Sequence, residues 1–181
     1  RATRRKFRMW FSDLTERENE ALVTYLSELL RFNKTINLIS NSTAPNADAV
    51  HIGDAVFASR LIAPRVISGE PIYDFGSGNG IPGLIYALLY PGQEVILVDR
   101  DQRKMEFCKH IAATLQIRNV KFLVQGVDEL PENSVKNVIA RGFAPFARAL
   151  LICRKQVAKG GLFFHLKSDT WSNELASAPS Q

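Results

Sequence analysis

The sequence predicts an α/β fold: a mostly parallel sheet with helical crossovers, carried behind an N-terminal helical extension. Three observations predict it. Beyond Pro71, short apolar runs alternate with amphipathic stretches, the pattern of right-handed strand–helix–strand units. Ahead of Pro71, apolar residues recur at helical spacing. At the junction, Ile72-Tyr73-Asp74-Phe75 runs into a turn with glycine at 76, 78 and 80 and enters a helix through Pro82. The chain divides into a helical region, residues 1–67, and a sheet core, residues 68–181.

Each element has its own signal. Thr15-Glu16-Arg17-Glu18 is a capping box, and Leu22, Tyr25, Leu26, Leu29 and Leu30 follow at helical spacing, which predicts a helix over 15–32. A second helix is expected over 48–62, ending before Pro64. Apolar runs at 72–75, 95–98, 121–124, 135–140 and 162–166 read as strands, and 81–90, 103–115 and 145–157 as the intervening helices. Pro91-Gly92 and Lys159-Gly160-Gly161 are stop signals. Residues 172–181, rich in Ser, Ala and Pro, are expected to fray.

The 181 residues leave room for one domain with its own core. Hydrophobic residues at 46% and charged residues at 23% exclude a disordered chain. No apolar run approaches the roughly 18 residues of a membrane span, and no signal-peptide core follows the basic start. The chain begins without Met, so residues ahead of Arg1 are expected. Cys108 and Cys153 lack a CxxC partner and read as buried thiols of a reducing cytoplasm. With only His51, His110 and His165 available, no metal site is expected. A net charge of +5 points to a polyanionic partner. The charge is clustered, in Arg1, Arg4, Arg5, Lys6 and Arg8 and again in Arg100, Arg103, Lys104 and Lys109. For either cluster, a solvated helix face explains the charge as well as an RNA contact does.

Gly78-Asn79-Gly80-Ile81-Pro82-Gly83 satisfies the G-x-G-x-x-G pattern of Rossmann-like nucleotide sites. Neighbouring charge decides between ligands. A pyrophosphate needs free N–H groups at the helix start and no carboxylate nearby. Here Pro82 removes one donor and Asp74 places an anion at the turn. S-adenosylmethionine carries a sulfonium and an ammonium that suit Asp74. Asp99, ending the second strand, suits a ribose diol. Asp128, beside Val127 after the third strand, offers an acceptor for an adenine amino group. Singly, each aspartate could merely cap a neighbouring backbone. Three carboxylates at successive strand ends favour S-adenosylmethionine over NAD(P). The fold expected is therefore that of a class I S-adenosylmethionine-dependent methyltransferase, with S-adenosylhomocysteine as product.

The acceptor is narrowed by what the sequence lacks. Methylation of base amino groups usually employs an Asn- or Asp-Pro-Pro-aromatic motif after the fourth strand, where this chain has Ala140-Arg141-Gly142-Phe143-Ala144-Pro145-Phe146. Methylation of a cytosine carbon needs a cysteine nucleophile, and neither cysteine lies in a presented position. An acceptor with its own lone pair, such as guanine N7, needs alignment and no general base.

Five segments carry a family resemblance: Phe32-Asn33-Lys34-Thr35-Ile36-Asn37-Leu38, His51-Ile52-Gly53-Asp54, the stretch from Asp74 to Gly83, Arg141-Gly142-Phe143-Ala144, and His165-Leu166-Lys167. The chain resembles the glucose-inhibited division protein B family, guanine-N7 methyltransferases of small-subunit (16S) ribosomal RNA. The resemblance implies that Gly76, Ile81, Val127, Asp128 and Arg141 contact the methyl donor. With Asp74, Gly78 and Asp99 they form the expected cofactor set. It also implies that Arg141 and Lys167 position the substrate, that Asn37 and His51 are candidates for RNA contact beside the basic Arg100, Arg103 and Lys104, and that the partner is small-subunit ribosomal RNA or a pre-ribosomal particle. Bracing of the N-terminal helices explains His51 equally well, and termination of the first helix explains Asn37. The protein is expected to be a cytoplasmic monomer. There are departures. Val50 stands where relatives carry Arg, Lys167-Ser168 replaces Lys-Gly, and Gln181 precedes the strand pair that closes such sheets, so the sheet is expected to lack its C-terminal strands here. Competing readings are a small-molecule or protein methyltransferase, an NAD(P)-dependent oxidoreductase, and a non-catalytic RNA-binding module.

Overall fold

The structure is a computed structural model and describes residues 1–166. It opens with α1 (Ala2–Trp10), α2 (Glu16–Phe32) and α3 (Asp54–Ile62). The sheet region runs β1 (Ile72–Phe75), α4 (Gly83–Leu89), β2 (Val95–Asp99), α5 (Gln102–Thr114), β3 (Val120–Val124), β4 (Val135–Arg141), α6 (Phe146–Cys153) and β5 (Val157–Leu166). The strands are parallel, in the order β3-β2-β1-β4-β5. After β3 the chain crosses back to lay β4 on the free side of β1. Asp74 thus lies level with Leu97 on one side and Ile139 on the other.

Both faces of the sheet are covered, which is why its strands read as near-continuous apolar runs. Ile72, Val95, Leu97 and Ile139 face a core shared with α2, α4 and α5. Phe75, Ile96, Val98, Val138 and Ala140 face a second core that includes Cys153 of α6. The N-terminal helices join the first core directly: Leu22, Tyr25 and Leu29 of α2 pack with Leu84 and Ile111. α2 starts at its capping box, with Thr15 Oγ1 accepting the Glu18 N–H at 3.1 Å and Glu18 accepting the Thr15 N–H at 2.8 Å. No helix among the described residues is long and apolar enough to cross a membrane.

One open reading is narrowed and two expectations are corrected. The basic start forms α1, and Arg4, Lys6 and Arg8 are held by acidic side chains. Arg4 pairs with Glu20 at 2.9 Å, Lys6 with Asp48 at 2.6 Å, and Arg8 with Glu16. That cluster is therefore largely internal ion pairing. The helix expected over 48–62 is a wider, π-type coil over Asp48–Gly53 followed by α3. Lys159-Gly160-Gly161 does not precede a strand but bulges within β5. Val135 pairs with Val157 and Asn137 with Leu162, so β5 advances five residues while β4 advances two. Gly160, at φ +81°, lies within the bulge.

Candidate functional site: the switch-point crevice

The carboxyl ends of β1 to β4 open into one crevice of about 1070 Å³. It lies where the strand order reverses, the place at which open parallel sheets bind ligands. Leu38, Ile39, Ser40, Thr43 and His51 of the helical region contribute to its lining.

The turn after β1 passes through Gly76, Gly78 and Gly80, all at positive φ. A Cβ on Gly80 would sit 2.6 Å from Leu84 Cδ1 and 2.7 Å from the Tyr25 hydroxyl, so conformation and space both demand glycine there. The Tyr25 hydroxyl donates to the Asn79 carbonyl at 2.7 Å. The Asn79 side chain donates to the Leu38 carbonyl at 3.1 Å and accepts the Ile81 N–H at 3.0 Å. Asn33 Oδ1 accepts the Leu38 and Ile39 N–H groups, each at 2.9 Å. The N-terminal region therefore shapes the cofactor turn as well as the wall facing it.

The aspartates differ sharply. Asp99 lines the crevice, accepting the Gly78 N–H at 2.7 Å on one oxygen and the Asp101 N–H at 2.8 Å on the other. Each carboxylate oxygen has two lone pairs, so both can still accept a ribose hydroxyl. Asp128 also lines the crevice, exposed and paired with Arg100 at 2.5 Å. That guanidinium holds its carboxyl below the usual range. Asp74 corrects the sequence reading. It is 1% exposed, lies beneath the turn, and accepts the Gly83 N–H at 2.8 Å. Burial pushes its carboxyl up to about 7, so it does not stand as a bare anion at the mouth of the turn.

The cations are sorted as clearly. Arg141 lines the crevice, with Nη2 donating to the Val50 carbonyl and to His51 Nδ1, and Nη1 3.7 Å from Asp54. A guanidinium can only donate, so His51 Nδ1 accepts and the proton resides on Nε2, which donates to Thr43 Oγ1 at 3.0 Å. Burial, with the Arg141 charge beside it, pushes His51 down to about 4. His51 is thus a neutral brace for Arg141, not a cation offered to RNA. Arg100 is tied to Asp128, and Arg103 donates to the Thr35 carbonyl at 3.4 Å. Lys104 and Arg148 line the crevice on opposite sides of β1.

Of the residues predicted from sequence, Gly76, Gly78, Ile81, Asp99, Val127, Asp128 and Arg141 line the crevice, as do His51, Arg100 and Lys104. Asp74, Asn37 and Arg103 do not. Asn37 sits exposed beside a shallow depression formed by residues 37–41. Lys167 lies outside the described residues. Sequence reasoning missed Asn79, Thr43, Phe143 and Arg148. Asn79 and Phe143 lie inside motifs already quoted, whereas no local pattern marks Thr43 or Arg148. Cys108 is buried with its Sγ donating to the Gly78 carbonyl at 3.3 Å, a structural contact behind the turn.

Comparison with known proteins adds a family. The sequence model described as rRNA small subunit methyltransferase G matches residues 18–181. The chain is 46% identical to ribosomal RNA small subunit methyltransferase G 3 of Bdellovibrio bacteriovorus, over 95% of this chain and 78% of that one. It is 30% identical to ribosomal RNA small subunit methyltransferase G of Paracoccus denitrificans, over 91% of this chain and 83% of that one. Among solved structures, coclaurine N-methyltransferase bound to N-methylheliamine and SAH is similar in fold, with a TM-score of 0.53 at 16% identity. That match covers 91% of this chain and 54% of the enzyme.

Proposed function

The chain belongs to the rRNA small subunit methyltransferase G family, and from that membership we propose that it transfers a methyl group from S-adenosylmethionine to N7 of a guanine in small-subunit ribosomal RNA. The observation that carries this reading is the crevice itself: a glycine turn at the switch point, with Asp99 bound to the Gly78 N–H.

The residues present fit the methyl donor. The backbone at Gly78 is open, since a Cβ there would meet nothing nearer than 3.8 Å. Asp99 offers the acceptors that a ribose diol needs. Val127 and Asp128 border the place for the adenine. Arg141 would meet the carboxylate or orient the acceptor base. Bound there, S-adenosylmethionine supplies a methyl group on a cationic sulfur. The protein's part is to align that group with an in-plane nitrogen lone pair and to exclude water, and no side chain need remove a proton. Lys104 and Arg148 supply positive charge at the rim for the RNA backbone. The reaction is assigned to the cytoplasm, on free RNA or a pre-ribosomal particle, with the protein acting as a monomer.

Incubation with undermethylated small-subunit RNA and labelled donor tests the reading. The expected product is 7-methylguanine at a single position of the digested RNA. Label confined to another base, to protein or to small molecules would overturn it.

A further inference from the structure

Among the described residues lining the crevice, Phe143 is the single Phe, Tyr or Trp. It stands in the loop between β4 and α6 with its ring against the cofactor turn. A Cβ on Gly76 would fall 2.6 Å from Phe143 Cδ2. Behind it lies Phe75, with ring centroids 6.3 Å apart. The Phe143 side chain is half-buried, so part of it faces the crevice.

Its place relative to the reacting atoms follows from the proposed function, on which this inference rests. The adenine end of the donor is assigned to the end of β3 and the ribose to Asp99 at the end of β2. That leaves the sulfur end at the junction of β1 and β4, beside Gly76 and Phe143.

Guanine presents its N7 lone pair in the plane of the ring. The base must therefore approach edge-on, held by a face, and a flat apolar side chain can hold a face without competing for N7. In the transfer, N7 forms a bond to the methyl carbon while the carbon–sulfur bond breaks and its electron pair stays on sulfur. The positive charge passes to the purine, and no proton moves. The face of a phenyl ring carries negative quadrupole density, so it attracts the purine more as that charge develops. An interaction that strengthens along the reaction accelerates it.

We infer that Phe143 is the stacking residue for the acceptor guanine, and that it binds the N7-methylated, cationic ring more tightly than the neutral one. Aromatic stacking on a nucleobase corresponds to roughly a ten- to hundred-fold effect on truncation.

The test compares wild-type protein with Phe143→Leu and Phe143→Trp. Each protein, saturated with S-adenosylhomocysteine, is titrated with 7-methylguanosine monophosphate and with guanosine monophosphate by NMR. Wild type and Phe143→Trp are expected to prefer the methylated nucleotide several-fold, and Phe143→Leu to lose the preference. Methylation of undermethylated RNA is expected to fall about ten- to hundred-fold in Phe143→Leu, with S-adenosylhomocysteine affinity within two-fold of wild type. An unimpaired Phe143→Leu that keeps the preference would overturn the inference. So would a loss of S-adenosylhomocysteine affinity matching the loss of rate, since the ring would then serve the donor. Wild-type methylated RNA lacking 7-methylguanine overturns the parent reading as well.

Discussion

His51 Nδ1 lies 3.3 Å from Nη2 of Arg141, and the imidazole and guanidinium hold each other at the crevice wall. The imidazole titrates near 4 in the folded chain against an ordinary 6.5. Between those values the unfolded chain binds a proton that the folded chain refuses. The His51 contribution is therefore complete above about pH 6.5 and is lost as pH falls toward 4. Relative to wild type, His51→Gln should lower the denaturant midpoint more at pH 7 than at pH 5, shifting the difference between the two. An unchanged difference would contradict the neutral-brace assignment.

Asp74 behaves in the opposite sense. Its folded value, near 7, lies above the ordinary 3.8. Its contribution is full below about pH 3.8 and is lost as pH rises through 7. Asp74→Asn keeps an oxygen to accept the Gly83 N–H and cannot ionise. Relative to wild type, the variant should gain stability between pH 6 and pH 8, measured by chemical denaturation at each pH.

Asp99→Ala removes the proposed acceptors for the ribose and the support of the Gly78 N–H. Hydrogen bonds to charged groups contribute about 1.5–3 kcal/mol each, so S-adenosylhomocysteine affinity should fall at least about hundred-fold by calorimetry. Asp128→Asn should cost less, because that carboxylate is exposed and already shared with Arg100. Equal losses for the two variants would contradict that ranking.

Gly80→Ala should destabilise the fold by about 1–3 kcal/mol through backbone strain alone, before any clash is counted. Tyr25→Phe should cost about 1 kcal/mol for the lost bond to Asn79. The pair should cost less than the sum, because the phenyl ring removes the hydroxyl that meets the new methyl group. Strict additivity in a double-mutant cycle would show that the Tyr25 hydroxyl does not crowd the new methyl group.

Lys104 and Arg148 line opposite sides of the crevice, and neither is paired, as Arg100 and Arg141 are, among the described residues. Lys104→Ala and Arg148→Ala should each lower the slope of log affinity against log salt by about one for small-subunit RNA. S-adenosylhomocysteine affinity should be unaffected. Slopes equal to wild type would remove both residues from the RNA path.

Much of the fold was legible in local sequence. The capping box at Thr15 starts α2 where the pattern placed it, because a cap acts over a few residues of chain. The apolar runs located all five strands of the described residues. Their near-continuous character follows from a sheet covered on both faces. The Lys159-Gly160-Gly161 signal misled because a bulge and a turn demand the same glycine conformation. Which of the two forms depends on a partner strand, here β4.

The sequence by itself determined the parallel sheet, the glycine turn and the set of aspartates and cations near it, since periodicity and glycine spacing are local properties. Only the tertiary structure decided which of those charges face a ligand. Asp74 is buried under the turn, His51 is neutral against Arg141, and Lys6 is neutralised by Asp48, forty-two residues away in the chain. Charge state and availability depend on desolvation and on partners brought from distant segments, and neither is encoded in the residues alongside.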